Sequence, residues 1–256
     1  MRKTLHALAL STGAVALVLA GAVSAQARGG GATTCSGGDI ASDTYSNLNV
    51  TGACTVPAGS DVTITHNLTI AAGASFDAQT DSHVVIGGNV SAGPGSSFGL
   101  GCTFAHPCSD TGAPPAAGST HDTVGGNVTL DHVFNAAING DTIGGNLVST
   151  GGGAGLLDPE TQFVPFSIKD DTVGRNIVVS DLTTVWFGVI RTHVGRNVIL
   201  TNVNLSDPDG NEVVTDTIGG NLICHGNAPA NQVGDSGGAP NTVGKKALGQ
   251  CAGLTG

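Results

Sequence analysis

One short phrase returns along most of the chain and limits what it can fold into. Ile86-Gly87-Gly88-Asn89-Val90 is followed by Asp122-Thr123-Val124-Gly125-Gly126-Asn127-Val128 and Asp141-Thr142-Ile143-Gly144-Gly145-Asn146-Leu147. The series continues as Asp171-Thr172-Val173-Gly174-Arg175-Asn176-Ile177, Thr192-His193-Val194-Gly195-Arg196-Asn197-Val198 and Asp216-Thr217-Ile218-Gly219-Gly220-Asn221-Leu222. A worn copy, Asn241-Thr242-Val243-Gly244-Lys245-Lys246-Ala247, closes it. The Val or Ile before the glycine recurs in steps of 38, 19, 30, 21, 24 and 25 residues. Self-similarity at this period marks a stacked repeat architecture.

Short β-branched runs between glycine turns, with no helical periodicity, fit one coil of a parallel β-solenoid. A leucine-rich repeat shares the period, but it needs a Leu-x-x-Leu-x-Leu register and a helical return, which this chain does not supply. The residues before the glycine and after the Asn form two apolar columns. Positions matching Val133, Leu182 and Val203 form a third, and Ile138, Ile168, Val189 and Val213 a fourth. Gly-Gly-Asn is then the corner, where glycine permits positive φ and Asn tolerates the left-handed region. Aromatics are only 4 % of the chain, so small and β-branched groups must build a narrow, regular core. The step of 38 is either two coils or one coil carrying a loop, and the step of 30 holds the Gly151-Gly152-Gly153 stretch as an insertion.

The Thr-[Val/Ile]-Gly-Gly-Asn-[Leu/Val] phrases, with the ending Leu222-Ile223-Cys224-His225-Gly226-Asn227 through Pro240 to Cys251, carry a resemblance. The chain resembles the right-handed parallel β-helix proteins, and more closely a group of uncharacterised secreted actinobacterial proteins with Gly-Gly-Asn repeats. The resemblance covers roughly residues 35–256. It implies a fold and a secreted habit and brings no catalytic residues. The expected fold is all-β, a right-handed parallel β-helix of roughly nine coils over 45–256, with loop insertions near 93–120 and 150–168. Residues 26–44 are expected as an N-terminal cap or linker.

Residues 1–25 read as a signal peptide: Arg2-Lys3, an apolar run from Ala7 to Val23, then small residues that allow cleavage after Ala25 or Ala27. No later segment approaches the ~20 apolar residues of a membrane span. All six cysteines follow the leader, and an even number in an oxidising compartment implies disulfides. The expected pairs are Cys35 with Cys54, Cys102 with Cys108, and Cys224 with Cys251. The outer two are separated by 19 and 27 residues, near one coil, which stacks them within disulfide reach. The net charge of -10 discourages nucleic-acid binding and docking on an anionic membrane.

The recurring Asn column, from Asn89 to Asn221, is best explained as an internal amide ladder that satisfies turn backbone groups. The same role discounts the glycosylation sequons at Asn67, Asn89 and Asn127; Asn49 and Asn204 carry two more outside the column, and none is taken to imply glycosylation. The Thr column at 123, 142, 172, 217 and 242 lacks the paired Thr-x-Thr ranks of an ice-binding face.

The most enzyme-like cluster comes from stacking adjacent coils, which places Asp170, Arg191 and His193 near Arg175 and Arg196. An acid, a base and arginines there would suit a polysaccharide lyase or glycoside hydrolase. A surface Asp170–Arg191 pair is the favoured reading. Asp207 and Asp209 resemble half a calcium loop, but a Pro-Asp-Gly turn between coils is favoured. No metal or cofactor is implied.

Five residues past the recurring Val or Ile stand Ser91, Thr129, Val148, Val178, Ile199, Ile223 and Leu248. Strand alternation turns this column outward, polar early and apolar late. Val148, Val178, Ile199 and Ile223 therefore either meet a partner, are covered by the loop around 150–168, or sit where a sheet face tolerates β-branched residues. The functional expectation is a secreted or cell-wall-associated, adhesin-like protein without catalytic activity, engaging itself or a cell-surface glycan or protein. The alternative is an enzyme acting on an extracellular glycan.

Overall fold

The computed structural model describes residues 31–103, 120–162, 164–234 and 238–256. The leader at 1–25 and Cys108 lie outside these. Among the described residues every regular element is a β-strand. Among the described residues three long parallel sheets build the molecule, with a two-stranded parallel pair, Thr183–Thr184 and Asn204–Leu205, beside them. Sheet A has ten strands, from Ala32–Cys35 to Ala247–Gly249; sheet B has eight, from Gly38–Asp39 to Asn211–Val214; sheet C has nine, from Asp43–Tyr45 to Thr242–Val243. Neighbours within a sheet belong to successive repeats: Ile177 pairs with Val198, and Val198 with Leu222. The chain visits C, A and B in rotation, one coil per repeat, so the fold is a parallel β-solenoid.

The register settles the open intervals. Ile86 pairs with Val124 and Val90 with Val128, so the step of 38 residues is a single coil. Strand Ser97–Gly101 pairs with Asn135–Asn139 in sheet B, so the stack includes these residues. Strand Pro165–Lys169 belongs to the same sheet and ends the second insertion before 165. The stack also begins earlier than residue 45, because Ala32–Cys35 pairs with Asn47–Val50.

Period-2 alternation sends one face of each strand into a single continuous core. Ile177 and Val179 are buried while Val178 between them is half-buried, and Val198, Leu200 and Ile199 repeat the pattern one coil on. All four apolar columns are buried, including Val133, Leu182 and Val203, except in the last coil, where Val243 is half-buried. Phe76 over Phe98 and Phe166 beside Phe187 stack within this core, with ring centroids 6.0 and 6.1 Å apart.

The corners differ in kind. Between sheets B and C a single residue takes the left-handed conformation: Gly140, Asp170, Arg191 and Thr215, at φ 85°, 58°, 52° and 60°. The Gly-Gly-Asn corner between C and A does not, which corrects the expected use of glycine there. Its glycines have ordinary φ, and the constraint is proximity: a Cβ on Gly144 would lie 2.6 Å from the Gly125 carbonyl oxygen of the preceding coil. The Asn column forms the expected ladder. Asn197 Nδ2 and backbone N–H both donate to Asn176 Oδ1, at 2.9 and 3.1 Å, and the same pair of bonds joins Asn146 to Asn176.

Disulfides close both ends of the described stack: Cys35–Cys54 with Cα atoms 6.4 Å apart, and Cys224–Cys251 at 5.3 Å. These bridges fit an extracellular protein. No helix among the described residues is long and apolar enough to cross a membrane.

Candidate functional site

Asp170 and Arg191 occupy the same corner on adjacent coils, and the left-handed turn at each aims their side chains at one another. The guanidinium is bidentate on the carboxylate, with Nε 2.7 Å from Oδ1 and NH2 3.0 Å from Oδ2. The Asp170 side chain is only 6 % exposed and that of Arg191 27 %. Burial raises the Asp170 pKa, and the Arg191 hydrogen bond and charge pull it part of the way back. His193 does not join them. It lies exposed on sheet C, paired between Thr172 and Thr217, beyond the buried Thr192.

Partners that the sequence reading missed do join them. Lys169 Nζ sits 4.6 Å from the centroid of the Trp186 ring, a cation–π contact. The Trp186 indole N–H donates to Glu212 Oε1 at 3.0 Å, and Glu212 is buried. Burial lowers the Lys169 pKa, and Arg191 adds to that, with Glu212 and Asp170 opposing. These groups stand on the outer side of sheet B, where Val185, Trp186, Ile190 and Val214 form a second apolar cluster covered by Leu157 and Val233. The signal for this patch was present in sequence as the lone Trp186 beside Phe187, but nothing in the repeat announces that sheet B carries a loop-covered outer layer.

Four of the repeat phrases also carry an acid whose role their spacing does not reveal. Asp122, Asp141, Asp171 and Asp216 follow the left-handed corner and point inward, all buried, with Thr192 and Asn241 in the same column. Asp171 Oδ1 accepts the Asp141 N–H at 2.8 Å, and Asp216 Oδ1 accepts the Thr192 N–H at 2.8 Å. Asp122, Asp171 and Asp216 thus each cap a backbone N–H of the coil before, whereas Asp141 accepts from the Asn139 N–H of its own coil and from the Thr120 hydroxyl. Burial is the first cause that raises Asp141, Asp171 and Asp216 well above the ordinary carboxylate range.

Val148, Val178, Ile199, Ile223 and Leu248 are in direct register on the outer face of sheet A. The first four are half-buried and Leu248 is 42 % exposed. The described start of the second insertion packs elsewhere: the Gly153 and Gly155 N–H groups donate to Val133 O and Thr183 O, and Leu157 lies on the Trp186 cluster. Asp207 and Gly210 close a turn by a 3.2 Å backbone bond. Among the described residues no three His, Cys, Asp or Glu side chains are grouped to hold a metal ion.

Comparison with family models, curated proteins and solved structures finds no match for this chain.

Proposed function

We propose that this is a secreted, non-catalytic surface-interaction protein that works through the outer face of sheet A in its later coils. One observation carries the reading: five aliphatic side chains from Val148 to Leu248 stack on successive rungs of an outward face. At about 4.8 Å per rung they make a straight apolar stripe roughly 19 Å long. Contiguous outward aliphatics of this kind mark interaction sites. The ladder below holds the stripe rigid, so little ordering entropy opposes contact. The likeness of the Gly-Gly-Asn phrases to secreted actinobacterial solenoids and the two disulfides agree with an extracellular setting. The test is Val178→Thr with Ile199→Thr, measured by sedimentation velocity and by retention on cell-wall material. Loss of self-association or retention, with an unchanged melting temperature, is expected; no change in either rejects the reading.

Cleavage of a glycan at Asp170 and Arg191 is the second reading. Opposed shifts on neighbouring side chains favour it, Asp170 upward and Lys169 downward. Its test is sugar release from acidic polysaccharides, abolished by Arg191→Ala in a folded variant.

A further inference from the structure

Lys and Arg are scarce enough here that their placement is informative. Beyond residue 28 the chain has six: Lys169, Arg175, Arg191, Arg196, Lys245 and Lys246. Lys169 and Arg191 are engaged with Trp186 and Asp170. The other four all fall on one edge, the turn from sheet C into sheet A, and all are exposed. Among the described residues none of these four has an ion pair or a side-chain hydrogen bond, in a chain with more than twice as many acids as bases.

The backbone sets their spacing. Arg196 N–H donates to Arg175 O at 2.8 Å, Gly220 to Arg196 O at 2.5 Å, and Lys245 to Gly220 O at 2.9 Å. Arg175, Arg196, Gly220 and Lys245 are therefore consecutive rungs, with cations on the first, second and fourth. At about 4.8 Å per rung, the two arginines stand one repeat apart and Arg196 and Lys245 stand roughly 10 Å apart. Glycine in the gap leaves a notch floored by Gly219 and Gly220 and walled by Arg196 and Lys245. The Gly219 and Gly220 N–H groups are already bonded to the neighbouring coil, so a bound anion is held by the flanking side chains.

Moving from this edge onto sheet A, the next row is Asn176, Asn197 and Asn221. Each Nδ2 gives one hydrogen to the Oδ1 of the coil before it, which leaves one amide N–H per rung. The row after that is the aliphatic stripe. Across the face the order is cation, amide donor, aliphatic carbon, repeated along the axis.

We infer that this edge binds an acidic polysaccharide laid along the solenoid axis. Its carboxylates meet Arg175, Arg196 and Lys245, its hydroxyls meet the Asn row, and the C–H faces of its rings lie on Val178 and Ile199. Guanidinium suits carboxylate through paired N–H donors. A lipid headgroup would use the cations but leave the amide row unpaired, and the acidic remainder of the molecule opposes an anionic bilayer. At physiological salt the screening length is about 8 Å, so acids on distant coils do not cancel attraction at contact.

The inference rests on sheet A being the contact face, and its test separates the two. The disulfide-intact chain is titrated against polygalacturonate, with dextran as neutral control and phosphatidylglycerol vesicles as a second anionic surface. Binding to polygalacturonate alone, weakened by salt and at least tenfold weaker in Arg175→Gln/Arg196→Gln/Lys245→Gln, is expected. Equal melting temperatures show that the variant is folded. Absence of polygalacturonate binding, equal binding by the triple variant, or binding to the vesicles instead overturns the inference. If polygalacturonate is not bound while Val178→Thr/Ile199→Thr still abolishes retention on cell-wall material, the polysaccharide assignment falls and the sheet A reading stands.

Discussion

Asn241 stands in the last coil where Asp216 stands one coil earlier, and its Oδ1 accepts the Asp216 N–H at 2.9 Å. Its Nδ2 also donates to Val213 O at 2.8 Å. Thr192, the other uncharged member of the column, reaches the Ile168 carbonyl with its hydroxyl at 3.4 Å. Ile168 and Val213 share one column of sheet B, both paired to Val189. This position in the coil therefore calls for an acceptor and a donor together. Asp171 and Asp216 each keep a buried Oδ2 without a hydrogen-bond partner, and a proton on that oxygen supplies the donor.

The first prediction is a stability that falls with rising pH. Burial, the leading cause, raises Asp141, Asp171 and Asp216 in the folded protein, so protonation favours folding. The contribution is complete below the unfolded carboxylate value near 4 and is lost as pH rises through the raised values. Asp216→Asn copies Asn241 and removes this loss. It should stabilise the protein at pH 8 by about 1 kcal/mol, the scale of one relieved buried polar atom, with the gain vanishing toward pH 4. Urea denaturation at both values checks it.

The amide ladder has a measurable end. Asn176→Ala leaves the Asn197 N–H and Nδ2 without their shared acceptor and should cost about 2 kcal/mol. Asn221 is followed by Lys246 instead of another Asn, so Asn221→Ala should cost less than about 1 kcal/mol. Equal losses in denaturant titrations would mean that the ladder contributes through packing alone.

Close approach, not backbone φ, explains the corner glycines, and one substitution separates the two. A Cβ on Gly219 would sit 2.6 Å from the Gly195 carbonyl oxygen, whereas Gly155, at φ 79°, has nothing within 4 Å. Gly219→Ala should lower stability by at least about 2 kcal/mol, in the range of overpacked cores. Gly155→Ala should cost closer to 1 kcal/mol from backbone strain. Thermal melts of the two variants rank the effects.

Arg191→Ala strands a buried carboxylate. Because Arg191 is partly exposed and water can enter, the loss should be about 1–2 kcal/mol rather than the larger figure for a sealed pair. Asp170→Asn in the same chain should restore part of it, which a double-mutant cycle measures.

The repeat phrase made the coil, its core columns and the Asn ladder legible, because each depends only on spacing. The partners of Asp170 were half legible. Register alone brings Asp170 to Arg191, but seeing that His193 stands apart from them required knowing that the chain turns a corner at Thr192. The buried Asp column stayed opaque for a different reason. In sequence an Asp before Thr reads as an exposed turn residue, and only the left-handed residue at 121, 140, 170 or 215 swings it inward. Trp186 and Glu212 meet through a loop-covered layer outside the repeat, which periodicity does not encode.

The placement of the cations on one edge has a consequence at long range. From residue 29 to 168 the chain has eleven acidic residues and no Lys or Arg; from 169 onward it has eight acids and six bases. Because coils stack in chain order, that asymmetry becomes an axial electric dipole, with the N-terminal half strongly negative and the C-terminal half close to neutral. An anionic surface would repel the first half and tolerate the second, turning the rod during diffusion so that its late coils arrive first. Orientation before contact raises the rate of productive encounters and fades as salt is added.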